Sequence, residues 1–159
     1  MLYPLSYRGV GADCTRLGHV SRLCYLLGMD IPQIFAETRT IAVVGMSDNP
    51  GKASNEVARY LMDYYEIIPV NPNHREILGR TCYPDLESIP VPVDMVDVFQ
   101  RSENVMPFVE PAIAIGARVF WMQLGIENAE AAQRLEAAGI AVVQNRCTKI
   151  EHARLALTS

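Results

Sequence analysis

The chain predicts an α/β fold of three layers, a doubly wound, mainly parallel sheet of about five strands with helices on both faces. Short apolar runs without alternation recur along it, and stretches with helical spacing of apolar residues separate them. Glycine and proline mark the joints. A run such as Ile41, Ala42, Val43, Val44 suits a parallel strand buried on both faces. A helix between two such runs supplies the crossover that a parallel pair requires.

In order, a short helix starts at Ile31, with Asp30 as its cap and Pro32 tolerated in the first turn, and leads into a strand at 41–44. A loop carrying Gly45, Ser47 and Gly51 follows. The helix after it covers 53–64, where Val57, Tyr60, Leu61 and Tyr64 share one face. The second strand is 67–70, and turn formers fill 71–84, with short extended pieces at 77–78 and 82–83. Asp85 caps a brief helix over 86–89 that Pro90 and Pro92 stop. Strand 95–99, helix 102–115, strand 118–121, helix 129–138 and strand 141–143 complete the alternation. Gly116 and Gly139 end the last two of those helices and suit the turn back into a strand.

A length of 159 residues, half of them apolar, suits one domain, which is drawn over 29–159. Residues 1–28 read as an extension of doubtful origin or as disorder ahead of a natural start at Met29, with a short helix expected near 17–27 if they are translated. The net charge of −4 and the lack of a basic stripe argue against a nucleic-acid partner. No apolar run reaches the length of a membrane span, and Leu23 to Leu27 is too short for a secretory signal, so a cytoplasmic protein is expected. The four cysteines form no C-x-x-C pair and the three histidines show no ligand spacing, so no metal is expected.

Ligands of doubly wound sheets bind beyond the carboxyl ends of the strands, which directs attention to 45–54, 71–73, 99–102, 123–125 and 145–147. Gly45 permits a tight turn, and the helix after it points free N–H groups at the same place, where a pyrophosphate is favoured. The loop departs from the three-glycine dinucleotide fingerprint. The second strand ends in Asn71, Pro72 and Asn73, where an NAD site places a carboxylate. A neutral amide does not repel a phosphorylated ribose. Coenzyme A therefore fits better than NAD, and NADP fits nearly as well, with Arg75 or Arg80 able to serve either.

Six blocks in order carry a family resemblance: Ile41 to Ser47, Ile68 to Asn73, Ile77 to Gly79, Val93 to Arg101, Trp121 to Gly125, and Asn145 to His152. Across about 38–155 the chain resembles the small, single-domain CoA-binding proteins, which share their Rossmann-like fold with the amino-terminal domain of the succinyl-CoA synthetase alpha subunit. The resemblance implies a coenzyme A or acyl-CoA ligand.

The candidate ligand-binding residues are Gly45, Met46, Ser47, Lys52, Ser54, Asn71, Pro72, Asn73, Phe99, Arg101, Gln123 and Arg146. Gly45, Ser47, Lys52 and Ser54 read as a phosphate cradle, or else as a tight turn and helix cap with Lys52 in solvent. Asn71 and Pro72 form a wall beside the adenosine or a plain strand-ending turn. Phe99 and Arg101 flank the ligand, or belong to core and solvent. Trp121 reads as core, Gln123 points towards the cleft, and Arg146 closes the edge. Cys147 is a small buried residue or a thiol poised by Arg146 and Lys149. Ser47, Asp97 and His152 run in hydrolase order, but Asn49 stands where a nucleophile elbow needs glycine.

The expected function is CoA or acyl-CoA binding by a module without catalytic machinery. The rivals are a small NADP-linked oxidoreductase, for which no positioned acid–base pair is found, and an interaction protein whose nucleotide site is vestigial. The charge pattern of the last helices is compatible with a homodimer.

Overall fold

The computed structural model describes residues 29–158, so the helix expected near 17–27 and the nature of the 1–28 extension lie outside the described residues. Helix α1 (Ile31–Glu37) opens on Asp30, whose carboxylate accepts the Gln33 N–H at 2.9 Å, with proline in its first turn. Strand β1 (Thr40–Val44) follows, then α2 (Ala53–Leu61) and β2 (Glu66–Val70). A small antiparallel hairpin, β3 (Glu76–Ile77) and β4 (Arg80–Thr81), comes next, then β5 (Met95–Val98), α3 (Val109–Ala114) and β6 (Val119–Met122). The chain continues through α4 (Ala129–Ala137) and β7 (Ala141–Val143) to α5 (Thr148–Thr158), a helix for which the sequence pattern sets no bounds.

The main sheet has the order β2-β1-β5-β6-β7, and each neighbouring pair is parallel. This is the expected five-stranded, doubly wound arrangement. The crossover from β1 runs outward to β2, and the next returns past β1 to β5, so the direction of winding reverses between β1 and β5. That is the topological switch point.

Alternate residues of each strand feed two cores. On one face Ile41, Val43, Trp121 and Val143 pack with Ile34 and Phe35 of α1 and Val57 and Leu61 of α2. On the other, Val44, Val96, Phe120 and Val142 pack with Val109 and Ala112 of α3 and Ala131 and Leu135 of α4. Both faces being covered explains why the strands read as continuous apolar runs.

Several expected elements differ. The single helix over 102–115 is two 3-10 turns, Ser102–Asn104 and Met106–Phe108, and then α3. Pro107 and Pro111 supply no N–H and tolerate only first-turn positions, so the run restarts at each. Over 86–89 there is a turn rather than a helix; Asp85 accepts the Ser88 N–H at 2.8 Å as a cap would, but no helix follows. Helix α2 ends at Leu61, and Tyr64 lies beyond it, exposed. The piece expected at 77–78 is half strand and half turn, because Leu78 and Gly79 take positive φ and reverse the chain into β4.

Candidate functional site

The register lines up the strand ends: Val44 faces Val70 and Val98, Val98 faces Met122, and Trp121 faces Val143. The residues after them therefore share one edge of the sheet. Gly45 makes the first turn at φ +78°, and a Cβ there would stand 2.7 Å from the Phe99 carbonyl oxygen and 2.8 Å from Gln100 Nε2. Only glycine fits between β1 and the chain leaving β5.

Beyond Gly45 the loop curls over the start of α2. The Ser54 hydroxyl accepts the Ser47 N–H at 3.0 Å, and Asn55 Nδ2 donates to the Ser47 carbonyl at 2.9 Å. Ser47 Oγ accepts the Asn49 N–H, and Asn49 Oδ1 accepts the Gly51 N–H. Lys52 caps α2 through its backbone alone, with its side chain exposed. The first N–H groups of the helix have no partner within it, so the positive end of the helix and a lysine ammonium lie in one loop. Met46, expected at the site, is fully buried in the core.

On the β2 side, Asn71 Nδ2 donates to the Met46 carbonyl at 2.9 Å and Asn71 Oδ1 accepts the Asn73 N–H at 2.9 Å. The amide thus ties the two loops together. Pro72 and Asn73 are exposed beside it, and His74 Nδ1 lies 3.8 Å from the Asp48 carboxylate across the same gap.

On the other side of β1 opens a cleft of about 660 Å³. Ala53 and Val57 of α2, Phe99 and Arg101 after β5, and Gln123 and Leu124 after β6 form much of its wall, and Cys147 and Ile150 close it. Phe99, Arg101 and Gln123, expected from the sequence, therefore meet in one cleft. Asn71, Pro72 and Asn73 do not line it, nor does Arg146, whose guanidinium pairs with Glu151 at 3.1 Å. Arg146 Nε is buried with no hydrogen-bond partner among the described residues. Its carbonyl accepts the Trp121 indole N–H at 2.7 Å, which satisfies an indole fully buried in the core.

Sequence reasoning missed what lies behind the cleft. Asp97, fully buried in the middle of β5, accepts Gln123 Nε2 at 2.6 Å and the Thr148 hydroxyl at 3.0 Å, and Gln123 Nε2 also donates to Thr148 Oγ1 at 2.7 Å. Burial pushes the Asp97 carboxyl up to about 7, and the Gln123 and Thr148 hydrogen bonds hold it from rising further. The available signal was a lone carboxylate within the apolar run Met95 to Val98. Gln123 spends both amide hydrogens on this network.

His152 stands apart from this edge, among Phe35, Tyr60, Tyr64 and Tyr65, with Nδ1 3.0 Å from the Tyr60 hydroxyl. Burial lowers its pKa. Ser47, Asp97 and His152 thus each bond to different partners and form no relay. Among the described residues no group of histidine, cysteine and carboxylate side chains could hold a metal ion, and no helix is long and apolar enough to cross a membrane.

Comparison with known proteins follows the same outline. The family model described as "CoA binding domain" matches residues 39–153. The protein YneT of Bacillus subtilis is 42% identical over 125 residues, which cover 78% of this chain and 93% of that protein. The ADP-forming acetate–CoA ligase I of Archaeoglobus fulgidus is 29% identical over 134 residues, 76% of this chain but 19% of the ligase. Among solved structures, a hypothetical protein from Pyrococcus horikoshii superposes with a TM-score of 0.78 at 41% identity, covering 80% of this chain and 90% of that one.

Proposed function

The chain belongs to the CoA binding domain family, and from that premise we propose that it binds coenzyme A or an acyl-CoA as a module without catalytic machinery of its own. In this reading the phosphates lie on the Ser47 hydroxyl, the Lys52 ammonium and the amino terminus of α2. The adenosine lies beside Asn71, Pro72 and Asn73, where β2 ends in neutral amides rather than in the carboxylate of an NAD site. The remainder of the ligand runs past Phe99, Arg101 and Gln123, with Arg146 behind.

The observation that carries the reading is the curled loop and helix start at the switch point between β1 and β5, closed to any residue but glycine at position 45. The match over most of the chain to part of an acetate–CoA ligase supports the same ligand class. The separate engagements of Asp97 and His152 support binding over catalysis.

Thermal denaturation of the full chain with CoA, dephospho-CoA, NAD and NADP tests it. A ligand at about a hundredfold its Kd stabilises by roughly 2.7 kcal/mol, a rise of about 8 °C for a domain of this size. The reading predicts that rise with CoA, a smaller one with dephospho-CoA and none with NAD. A larger rise with NADP than with CoA overturns it, and so does none with CoA.

A further inference from the structure

We propose that the cleft beside β5 and β6 is an acyl subsite, so that the preferred ligand is a CoA thioester carrying a chain of several carbons rather than free CoA. This rests on the CoA reading and names the part of the ligand that the cleft receives.

Three observations carry it. The cleft lies on one side of β1 only. The loop that would hold phosphate is above β1, and the Asn71 to Asn73 wall is beyond β2, so the cleft falls to the opposite end of an extended ligand. Val57, Phe99, Cys147 and Ile150 give the cleft apolar walls around the buried Gln123, and its volume lies within the range of small-molecule pockets. The buried polar side chain in its wall, Gln123, has both amide hydrogens committed to Asp97 and Thr148, so that amide has no donor left for a polar group entering there.

The rim adds to this. Leu124 and Ile150 are 67% and 45% exposed, and both flank the opening. They extend the apolar wall of the cleft to its mouth. Arg101 is exposed beside them and forms no ion pair among the described residues, so it can meet an anionic or carbonyl group while the chain passes inward. Glu103 lines the same opening, so the mouth is of mixed charge, and it is the apolar walls within that match the tail of the ligand.

Calorimetric titration of the full chain with CoA, acetyl-CoA, butyryl-CoA and hexanoyl-CoA reads the effect directly. Each fully buried methylene is worth about a fourfold gain in affinity. The proposal predicts stepwise tightening that exceeds about tenfold between acetyl-CoA and hexanoyl-CoA. Ile150→Ser, which removes apolar wall without adding a charge beside Arg101, flattens the series while leaving the affinity for CoA itself within about threefold. Leu124→Ser, at the more exposed position, gives a second reading should the first variant fold poorly. Equal affinities along the series overturn the subsite and leave CoA binding intact. A weakening of CoA and of every thioester alike by both variants also overturns it, since it puts the nucleotide itself in the cleft. No binding by any of the four overturns the CoA reading as well.

Discussion

The buried Asp97 contributes stability that falls as pH rises, against the usual behaviour of a paired carboxylate. Its carboxyl stands at about 7 in the folded chain against 3.8 when exposed, because burial disfavours the charge more than Gln123 and Thr148 favour it. Between those values the folded state holds a proton that the unfolded state has released. Stability from this group is therefore complete below about pH 4, lost progressively towards pH 7, and level above that. The linkage relation puts the loss between pH 5 and pH 8 at about 2–3 kcal/mol, or about 8 °C in melting temperature. His152 works in the opposite direction, since burial lowers its pKa and the folded chain gains stability as the ring sheds its proton. The effect of Asp97 must therefore be read as a difference. Asp97→Asn keeps the shape, accepts from Gln123 and donates to the Thr148 hydroxyl, but does not titrate. Melting curves of both proteins from pH 5 to pH 8 should show the variant gaining on the wild type by about 8 °C. A gap that stays constant with pH would refute the reasoning, because it would mean that Asp97 is ionised in the fold throughout.

Three further outcomes follow from particular contacts. Gly45→Ala sets a Cβ 2.7 Å from the Phe99 carbonyl at a positive φ, and should cost about 2–4 kcal/mol in a denaturant titration. Trp121→Phe removes the donor to the Arg146 carbonyl and leaves a void in the core between α1 and the sheet, a loss of about 2–4 kcal/mol by the same measurement. Lys52→Ala should leave the melting temperature of the free protein unchanged, since the side chain is exposed and makes no hydrogen bond as a cap, yet weaken CoA binding roughly tenfold in a titration.

The fold was legible because its strands are buried on both faces. Ile41 to Val44 and Ala141 to Val143 have no polar residue to obscure them, and the glycines after two helices mark the returns. The helix expected over 102–115 was misread because its apolar spacing survives across Pro107 and Pro111 while its backbone hydrogen bonds do not. The residues on the edge of the sheet could be named from the strand ends alone. Which of them line one cleft could not, since the wall at Ile150 depends on α5 crossing back over the sheet from β7. The Asp97, Gln123 and Thr148 network joins three positions distant in sequence, and only the oddity of an aspartate between Val96 and Val98 announced it.

The most direct test of the central claim is calorimetric titration of CoA into the full chain at neutral pH, repeated with Lys52→Ala. Saturable binding at one ligand per chain, weakened in the variant, is the predicted result. The absence of measurable heat and of any thermal stabilisation at millimolar CoA would contradict it, and the loop at Gly45 would then be a turn and nothing more.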